Sequence, residues 1–432
     1  MTRRLSLLLP LVLLSVGCAT RGPYRLGPPA KFNSPGPNTS VVEDHGAYKL
    51  GFIEFSDEGK RLRDDWQLKE VVSTIRHARH LTTAGSATPE TGGGMTVIYV
   101  HGWKNNARSS ANQTKDVEKF RNFLETVAAK VPSGTPVNGV YLGWNGKTVD
   151  IDSSLLNWWT LWPRYFAAGR VGSREMARTI SQLIAAGVAG RGEQIKAHKP
   201  RPRVILIGHS LGARVLENAL ERVPDDAGLS SLLAEEEAAG FARPDPSFGV
   251  LLGQCKSLGS GKPVKSIVDL TLLVNEANKS RQVRAASAVC APGPNGAMLR
   301  HPGFSQDLCP DNPSSQFCQP YPLFVHIASS ADWATRFLAR FALLGGTAPH
   351  SPSLVTHRVT EGNPAGPSLF QFWTESQITY SVSRKPNVSD RNPIWVMRVN
   401  GKIIKNHGDI WNLNFQNMIL ALIGGLDAET FR

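Results

Sequence analysis

The sequence predicts an α/β fold in which a mostly parallel central sheet is flanked by helices. Short apolar, β-branched segments alternate with longer segments whose apolar residues recur at helical spacing, an alternation typical of parallel sheets. Apolar residues make up 41% of the 432-residue chain and charged residues 19%, which is enough apolar surface for a large core. No internal repeat interrupts the pattern, so we expect one decorated domain over residues 49–432.

The elements follow in chain order from these local patterns. The predicted strands are Gly51–Phe55, Met95–Val100, Val137–Trp144, Arg203–Ile207, Ser266–Val274, Leu323–Ala328 and Ile394–Ile404. The predicted helices are Asp64–Leu81, Asp116–Lys130, Ser173–Ala186, Ala213–Glu221, Ala331–Leu344 and Trp411–Leu422. Between the last strands lies an irregular insertion that is rich in Pro and contains Cys.

The first residues have the pattern of an export signal. Two arginines precede the apolar run Leu5–Val16, which is too short to span a bilayer as a helix. Ser15-Val16-Gly17-Cys18 resembles the lipobox of bacterial lipoproteins, and the resemblance implies that Cys18 is acylated and becomes the new N-terminus. Ala19 resembles the residue found there in lipoproteins sorted to the outer membrane, which implies that the protein faces the periplasm. An uncleaved anchor or a plain secretory signal is the alternative.

Residues 19–48 are rich in Pro, Gly, Asn and Ser and show little apolar periodicity. That composition predicts a flexible tether between a lipid anchor and the folded body. The chain carries a formal net charge of +13, which either adds attraction to an anionic lipid surface or belongs to an ordinary solvated surface. Nucleic acid is the other usual partner of a basic protein, but an exported chain seldom meets it, so we expect no nucleic-acid partner.

Four cysteines follow Cys18, and an even number in an oxidising compartment favours disulfides. Cys309 and Cys318 bracket a polar loop and are the candidates for a local pair, which leaves Cys255 and Cys290 as the second pair. Three connectivities remain possible, because sequence alone does not fix the pairing. None of these residues has the C-x-x-C spacing of a zinc site.

The strongest motif is the pentapeptide Gly208-His209-Ser210-Leu211-Gly212, a G-x-S-x-G pattern. It follows an apolar strand and opens an apolar-periodic helix, which is the setting that this pattern requires. On such a tight strand-to-helix turn the Ser hydroxyl stands exposed above the sheet, and the glycines at positions 208 and 212 permit close packing there. The pattern therefore predicts Ser210 as a nucleophile; the alternative is a simple turn residue.

Two loops, His101-Gly102-Trp103 after one strand and Gly208-His209-Ser210-Leu211-Gly212 after another, together resemble the α/β-hydrolase superfamily. The resemblance covers roughly Gly51–Leu422 and is closest to the bacterial esterase-like and lipase-like branch. It implies insertions above the carboxyl ends of the strands, near residues 145–172, 222–264 and 279–320, that build a substrate cleft. It also implies an oxyanion hole made by the backbone N–H groups of Trp103 and Leu211.

The chain order of that family is nucleophile, then acid, then His. Asp332 directly follows a predicted strand, and the resemblance implies that it is the acid that orients the imidazole. His407 follows the last strand and is implied as the general base. Asp332 also suits a helix N-cap, and Glu276, at the end of the preceding strand, is the competing acid.

Four other titratable residues have more ordinary interpretations. His357 is the alternative base but lies in an apolar stretch that reads as a strand. His209 and His326 are expected to pack in the core near the sheet, and Asp409 is expected to be a cap or loop carboxylate.

The cluster Trp158, Trp159, Trp162 and Tyr165 fits either an acyl-binding or membrane-dipping surface, or ordinary packing of a helix. No Walker loop, EF-hand, H-E-x-x-H or dinucleotide motif appears, so we expect neither a metal nor an organic cofactor. The resemblance implies hydrolysis of a carboxylic ester, with a lipid or thioester among the candidate substrates. The alternatives are a noncatalytic envelope scaffold with the same fold, or an acyltransferase. The sequence does not indicate an oligomeric state.

Overall fold

A computed structural model shows an α/β protein with a 12-stranded, mostly parallel sheet. The residues that the structure describes are 22–31, 39–84, 93–108, 115–146, 161–191, 194, 201–220, 264–265, 268–277, 299–300, 324–335, 350–362, 368–388 and 394–425. The order of strands across the sheet is β1-β2-β3-β5-β4-β6-β8-β10-β14-β11-β13-β12, and β7 pairs separately with β9. The coarse fold class predicted from the sequence is confirmed.

The strands and helices have the following bounds. The strands are β1 Ala30–Lys31, β2 Val42–Asp44, β3 Lys49–Phe55, β4 Met95–Val100, β5 Val137–Trp144, β6 Arg203–His209, β7 Val264–Lys265, β8 Leu270–Val274, β9 Leu299–Arg300, β10 Phe324–Ser329, β11 His357–Glu361, β12 Phe370–Trp373, β13 Thr379–Arg384 and β14 Ile394–Val399. The helices are α1 Trp66–Ala84, α2 Lys115–Lys130, α3 Leu161–Val171, α4 Arg174–Val188, α5 Leu211–Leu220 and α6 Leu413–Gly425. Within the described ranges, no helix is both long and apolar enough to cross a bilayer.

Different helices cover the two faces of the sheet, so the protein has two apolar cores. Helices α1, α3, α4 and α5 contribute to one core, and helices α2 and α6 contribute to the other. In β4, Ile98 and Val100 belong to the first core while Val97 and Tyr99 belong to the second, as the alternation of side chains along a strand requires. The central strands are buried on both faces, which explains why each appears in the sequence as a continuous apolar run.

The central strands all end at one edge of the sheet, which we call the carboxyl edge. Strands β3, β5, β4, β6, β8, β10 and β14 pair in parallel in that spatial order. Loops that follow these strands therefore lie near one another even where they are distant in sequence. In open parallel sheets, sites form at this edge.

Residues 22–31 and 39–48 pack against the body, so the tether predicted over residues 19–48 is wrong for these two segments. Strand β2 pairs with β3, and the Arg25 side chain is fully buried. The Arg25 guanidinium lies 3.6 Å from the centre of the Phe52 ring, and its Nη1 donates to Glu43 at 2.8 Å. The backbone N–H of Arg25 donates to the Glu54 carboxylate at 2.9 Å. Pro and Gly disfavour regular structure, but they do not prevent a segment from docking through one buried arginine.

The last predicted strand, Ile394–Ile404, ends early at Val399. The Asn400 side chain accepts hydrogen bonds from the backbone N–H groups of Lys402 and Ile403, which turns the chain. Residues 400–412 are consequently free to form the loop that carries His407.

Helix α3 and strands β12 and β13 were not predicted from the sequence, whereas the strand expected at His357 is present as β11. Strands β11, β13 and β12 extend the sheet beyond β14. In this extension β13 pairs antiparallel with both β11 and β12. His357 alone is buried in β11, and polar, exposed positions dominate the rest of the strand, so the apolar stretch around His357 indicated only where this strand starts. The predicted helix Ala331–Leu344 lies outside the described residues beyond position 335.

Candidate active site

Ser210 lies on a sharp turn between β6 and α5. Its φ of +56° is in the left-handed region, which is costly for a residue with a side chain. A Cβ added at Gly208 would lie 2.6 Å from the Cα of Ala213, and one added at Gly212 would collide with the carbonyl oxygens of Val100 and His101. The two glycines therefore allow strand β6, helix α5 and the end of β4 to approach closely around the turn.

The three residues predicted as nucleophile, base and acid form one chain of hydrogen bonds. The Ser210 Oγ lies 2.7 Å from His407 Nε2, and His407 Nδ1 lies 2.9 Å from Asp332 Oδ2. With the proton on Nδ1, the imidazole donates to the carboxylate and accepts the Ser hydroxyl proton. Ser210, Asp332 and His407 follow β6, β10 and β14, three strands that end at the carboxyl edge.

Asp332 is fully buried and is kept ionised by the groups that donate to it. Burial acts to raise its pKa, but the hydrogen bond and charge of His407 and the donors of Thr335 outweigh this effect, so the pKa is lowered. Both the backbone N–H, at 3.2 Å, and the hydroxyl of Thr335 donate to the carboxylate. Asp332 thus caps the start of a helical turn and also orients His407. Thr335 was not predicted, because the recognised signal three positions after an N-cap is Glu or Gln rather than Thr.

The buried side chains of His209 and Asn275 donate hydrogen bonds to the backbone carbonyl of His407. We call this pair the His407 clamp. The His407 carbonyl oxygen accepts from His209 Nε2 at 2.9 Å and from Asn275 Nδ2 at 3.0 Å. Burial, reinforced by the nearby His407, lowers the pKa of His209 to about 3, so its imidazole is neutral with the proton on Nε2. His209 is buried as predicted, but it also makes this directed hydrogen bond.

Asn275 connects the clamp to the neighbouring strand ends. It follows β8 with a φ of +46°, and its Oδ1 accepts from the backbone N–H of Ser329 at 3.1 Å. The Ser329 hydroxyl in turn donates to the Ile404 carbonyl at 2.6 Å, in the loop that carries His407. The position of His407 is therefore fixed from the ends of β6, β8 and β10. Asn275 was not predicted as part of the site, although its position directly after the buried strand β8 could have indicated it.

The loop after β4 lies against the nucleophile. A Cβ added at Gly102 would lie 2.8 Å from the Ser210 Cβ and 2.9 Å from the His209 carbonyl oxygen, so only glycine fits there. Lys104 adopts a φ of +72°, and its N–H donates to the Gly146 carbonyl. The backbone N–H groups of Trp103 and Leu211, both predicted for an oxyanion hole, donate to no residue that the structure describes.

The buried side chain of His101 stabilises this loop through its ring contacts and hydrogen bonds. It is fully buried, and its ring stacks between those of Tyr141 and Trp144. Its Nδ1 donates to the Gly102 carbonyl at 2.9 Å, and its Nε2 accepts from the Trp144 backbone N–H at 3.0 Å. Burial lowers the pKa of His101 to about 4, so the ring is neutral and can act as donor and acceptor at once.

The alternative acid and base lie in other contacts. The Glu276 carboxylate is buried and bonded to His326 Nδ1 at 2.7 Å, which leaves Asp332 as the carboxylate that contacts His407. His357 is buried in β11 and stacks on Trp395 at 3.9 Å. Asp409 accepts from Asn412 and so is a loop carboxylate, as the sequence predicted.

Part of the predicted aromatic cluster belongs to helix α3. Trp162 is 41% exposed, whereas the Tyr165 ring lies 4.0 Å from the guanidinium carbon of Arg214 in α5. Packing of α3 against α5 therefore accounts for the aromatic residue at position 165, but it does not account for the exposed indole of Trp162. Trp158 and Trp159 lie outside the described residues.

Several other sequence predictions also fall outside the described residues, namely the signal segment 1–18 with Cys18 and the candidate disulfide residues Cys255, Cys290, Cys309 and Cys318. Among the residues with a described position, no group of three or more His, Cys, Asp or Glu side chains could hold a metal ion. Comparisons with protein-family models, with curated proteins and with solved structures each give no match. A functional assignment therefore depends on the geometry of the site itself.

Proposed function

We propose that this chain is a serine hydrolase of the α/β-hydrolase fold that cleaves carboxylic esters, with lipid esters and thioesters as candidate substrates. The observation that supports the proposal is the continuous chain of hydrogen bonds from Ser210 through His407 to Asp332. The strained backbone of Ser210 adds to it, because strain of about 1–3 kcal/mol persists where surrounding packing enforces it, and such strain concentrates at functional sites.

The proposed reaction proceeds through an acyl-enzyme. The Ser210 Oγ attacks the ester carbonyl carbon while its proton moves to His407 Nε2, and Asp332 stabilises the resulting imidazolium. The backbone N–H groups of Trp103 and Leu211 donate to the oxyanion of the tetrahedral intermediate. The alcohol leaves with the proton from His407. A water molecule then attacks the acyl carbon while its proton moves to His407 Nε2; the acid leaves, and the proton returns to the Ser210 Oγ.

A fluorophosphonate probe tests the nucleophile. Folded wild-type protein should be labelled, and Ser210→Ala should abolish the labelling. Ser181→Ala is the matched control, because Ser181 is a buried Ser on α4 whose hydroxyl donates to a helix carbonyl. Folded wild-type protein that resists labelling would favour the noncatalytic scaffold. Hydrolysis assays with an added alcohol acceptor separate ester hydrolysis from acyl transfer.

We also propose that the protein is exported and anchored through an acyl chain on Cys18, in the outer membrane facing the periplasm. The support is the lipobox-like segment before Cys18 together with its short apolar run. Incorporation of a labelled fatty acid in cells tests the anchor: Cys18→Ala should lose the label. Recovery of the labelled protein in the inner-membrane fraction would contradict the outer-membrane assignment.

A further inference from the structure

The large apolar side chains that are exposed lie at one edge of the sheet. In the described part of the chain, six such side chains are more than 40% exposed: Leu26, Trp162, Phe166, Trp333, Trp373 and Leu413. Trp333 follows Asp332 just beyond β10. Trp373 is the last residue of β12, which runs in the same direction as β14, and Leu413 begins α6 after the loop that carries His407. Scattered exposed apolar residues need no explanation, but a set confined to one edge does.

Helix α3 starts at this same edge. Arg164, in its first turn, donates to the carbonyl of Asn145, which directly follows β5. The next residue, Tyr165, packs on Arg214 in the first turn of α5, so the start of α3 lies beside the helix that follows Ser210. Trp162 and Phe166 are one turn apart on the exposed face of α3, at 41% and 59% exposure.

The N-terminal segment also joins the body at this edge. The backbone N–H groups of Tyr24 and Arg25 donate to the Glu54 carboxylate near the end of β3, and Arg25 Nε donates to the Ala107 carbonyl in the loop after β4. Tyr24 lies only six positions after Cys18, and six positions span at most about 20 Å. An acyl chain on Cys18 would therefore hold the carboxyl edge, rather than another side of the molecule, close to a bilayer.

The charges at this edge suit an anionic surface. Lys104 and Arg108, in the loop after β4, and Lys405, two positions before His407, are exposed. Lys104 belongs to the loop whose Gly102 lies against Ser210, and Lys405 belongs to the loop that carries His407. Exposed cations near indole and phenyl rings are the combination found where proteins contact the headgroup region of membranes.

We propose that the carboxyl edge of the sheet docks on an anionic lipid bilayer, with Leu26, Trp162, Phe166 and Trp333 entering the headgroup region. Ser210 then faces the lipid surface. This contact requires no turnover and so is independent of the proposed hydrolase activity, but it rests on the lipid anchor proposed at Cys18.

Quenching of Trp fluorescence by brominated lipids tests the proposal. The full-length protein is reconstituted in vesicles of phosphatidylglycerol and phosphatidylcholine with brominated acyl chains. The fluorescence should be quenched relative to ordinary vesicles. Trp162→Phe/Trp333→Phe should reduce the quenched fraction severalfold, because it removes the two indoles proposed to enter the headgroup region. Trp395→Phe is the matched control, because Trp395 is only 5% exposed in β14 and should contribute little.

Two results would overturn the proposal. The first is protein that sediments with the vesicles but is not quenched, or whose quenching the double variant leaves unchanged, because the edge would then point away from the lipid. The second is a dimer in solution that Phe166→Ser dissociates, because the same side chains would then form an interface between two copies of this chain. A thermal melt of the Phe variants that matches that of the wild type shows that they are folded.

Discussion

Removal of one side of the His407 clamp should lower turnover without affecting substrate binding. Asn275→Ala deletes one of the two donors to the His407 carbonyl, at 3.0 Å, and leaves the His209 donor in place. Neither side chain belongs to the proposed oxyanion hole or to the chain of hydrogen bonds from Ser210 through His407 to Asp332. The expected defect is a less accurate placement of the imidazole between Ser210 and Asp332.

The expected size of the effect follows from the strength of one hydrogen bond. A neutral intramolecular hydrogen bond contributes about 0.5–1.5 kcal/mol net. Since 1.36 kcal/mol corresponds to a tenfold change in rate, kcat should fall about 2- to 13-fold with KM nearly constant. The double variant His209→Ala/Asn275→Ala should lose more than the product of the two single effects, because the carbonyl then loses both donors.

A chromogenic ester assay measures kcat and KM for these variants. Asn275→Ala also leaves the Ser329 N–H without its acceptor, so the variant should be about 1–3 kcal/mol less stable and must be assayed well below its melting temperature. Ser181→Ala, which loses a buried hydrogen bond on α4, provides the control for stability alone. A wild-type kcat in Asn275→Ala, or an equal loss in Ser181→Ala, would refute the positioning role.

Three further predictions concern the acid and the buried N-terminal charges. Asp332→Asn should reduce kcat about 10³- to 10⁴-fold, while Glu276→Gln, whose carboxylate contacts His326, should change kcat little in the same ester assay; the reverse order would exchange their roles. Arg25→Ala should lower the free energy of unfolding in urea by about 3–5 kcal/mol, because it breaks a buried ion pair; an unchanged midpoint would show that the N-terminal segment is not part of the cooperative fold. Burial acts to raise the pKa of Glu43, but hydrogen bonds from His45 and Arg121 and the charges of the nearby arginines lower it to about 2, below its ordinary 4.5. Glu43 thus contributes stability that is fully present above pH 4.5 and is lost as the pH falls towards 2, so Glu43→Gln should give a flatter plot of unfolding free energy against pH in that range; an unchanged slope would contradict the lowered pKa.

The central strands could be predicted because a strand that is buried on both faces appears in the sequence as a continuous apolar run. Met95–Val100 and Val137–Trp144 have the predicted bounds, and β6 extends Arg203–Ile207 by two residues. Strand β2 could not be predicted in this way, since its three residues include Glu43 and Asp44 and form no apolar run. Strand β11 could be placed only at His357, since exposed and half-buried positions make up the rest of it. Their strand character depends on a neighbouring strand that a local pattern does not reveal.

The burial of Arg25 likewise depends on contacts that a local sequence pattern does not reveal. Arg25 occurs in a segment whose Pro and Gly content indicated a tether, and nothing near it in sequence shows that Glu43, Glu54 and Phe52 surround it. Charged side chains are buried only with partners. The partners here come from β2 and β3, so the docking of this segment is a property of the assembled sheet.

The coarse α/β class and the turn that carries Ser210 could be read from local patterns, because alternating strands and helices predict a parallel sheet and G-x-S-x-G requires a particular backbone turn. The α/β-hydrolase resemblance implied His407 and left Asp332 and Glu276 as competing acids. The assembled sheet, by contrast, shows that Asp332 rather than Glu276 contacts His407. It also brings His209 and Asn275 to the His407 carbonyl, which no local pattern indicated. The physical reason is that a motif specifies local backbone geometry, whereas a hydrogen bond between residues 75 to 198 positions apart depends on which strand ends the sheet brings together.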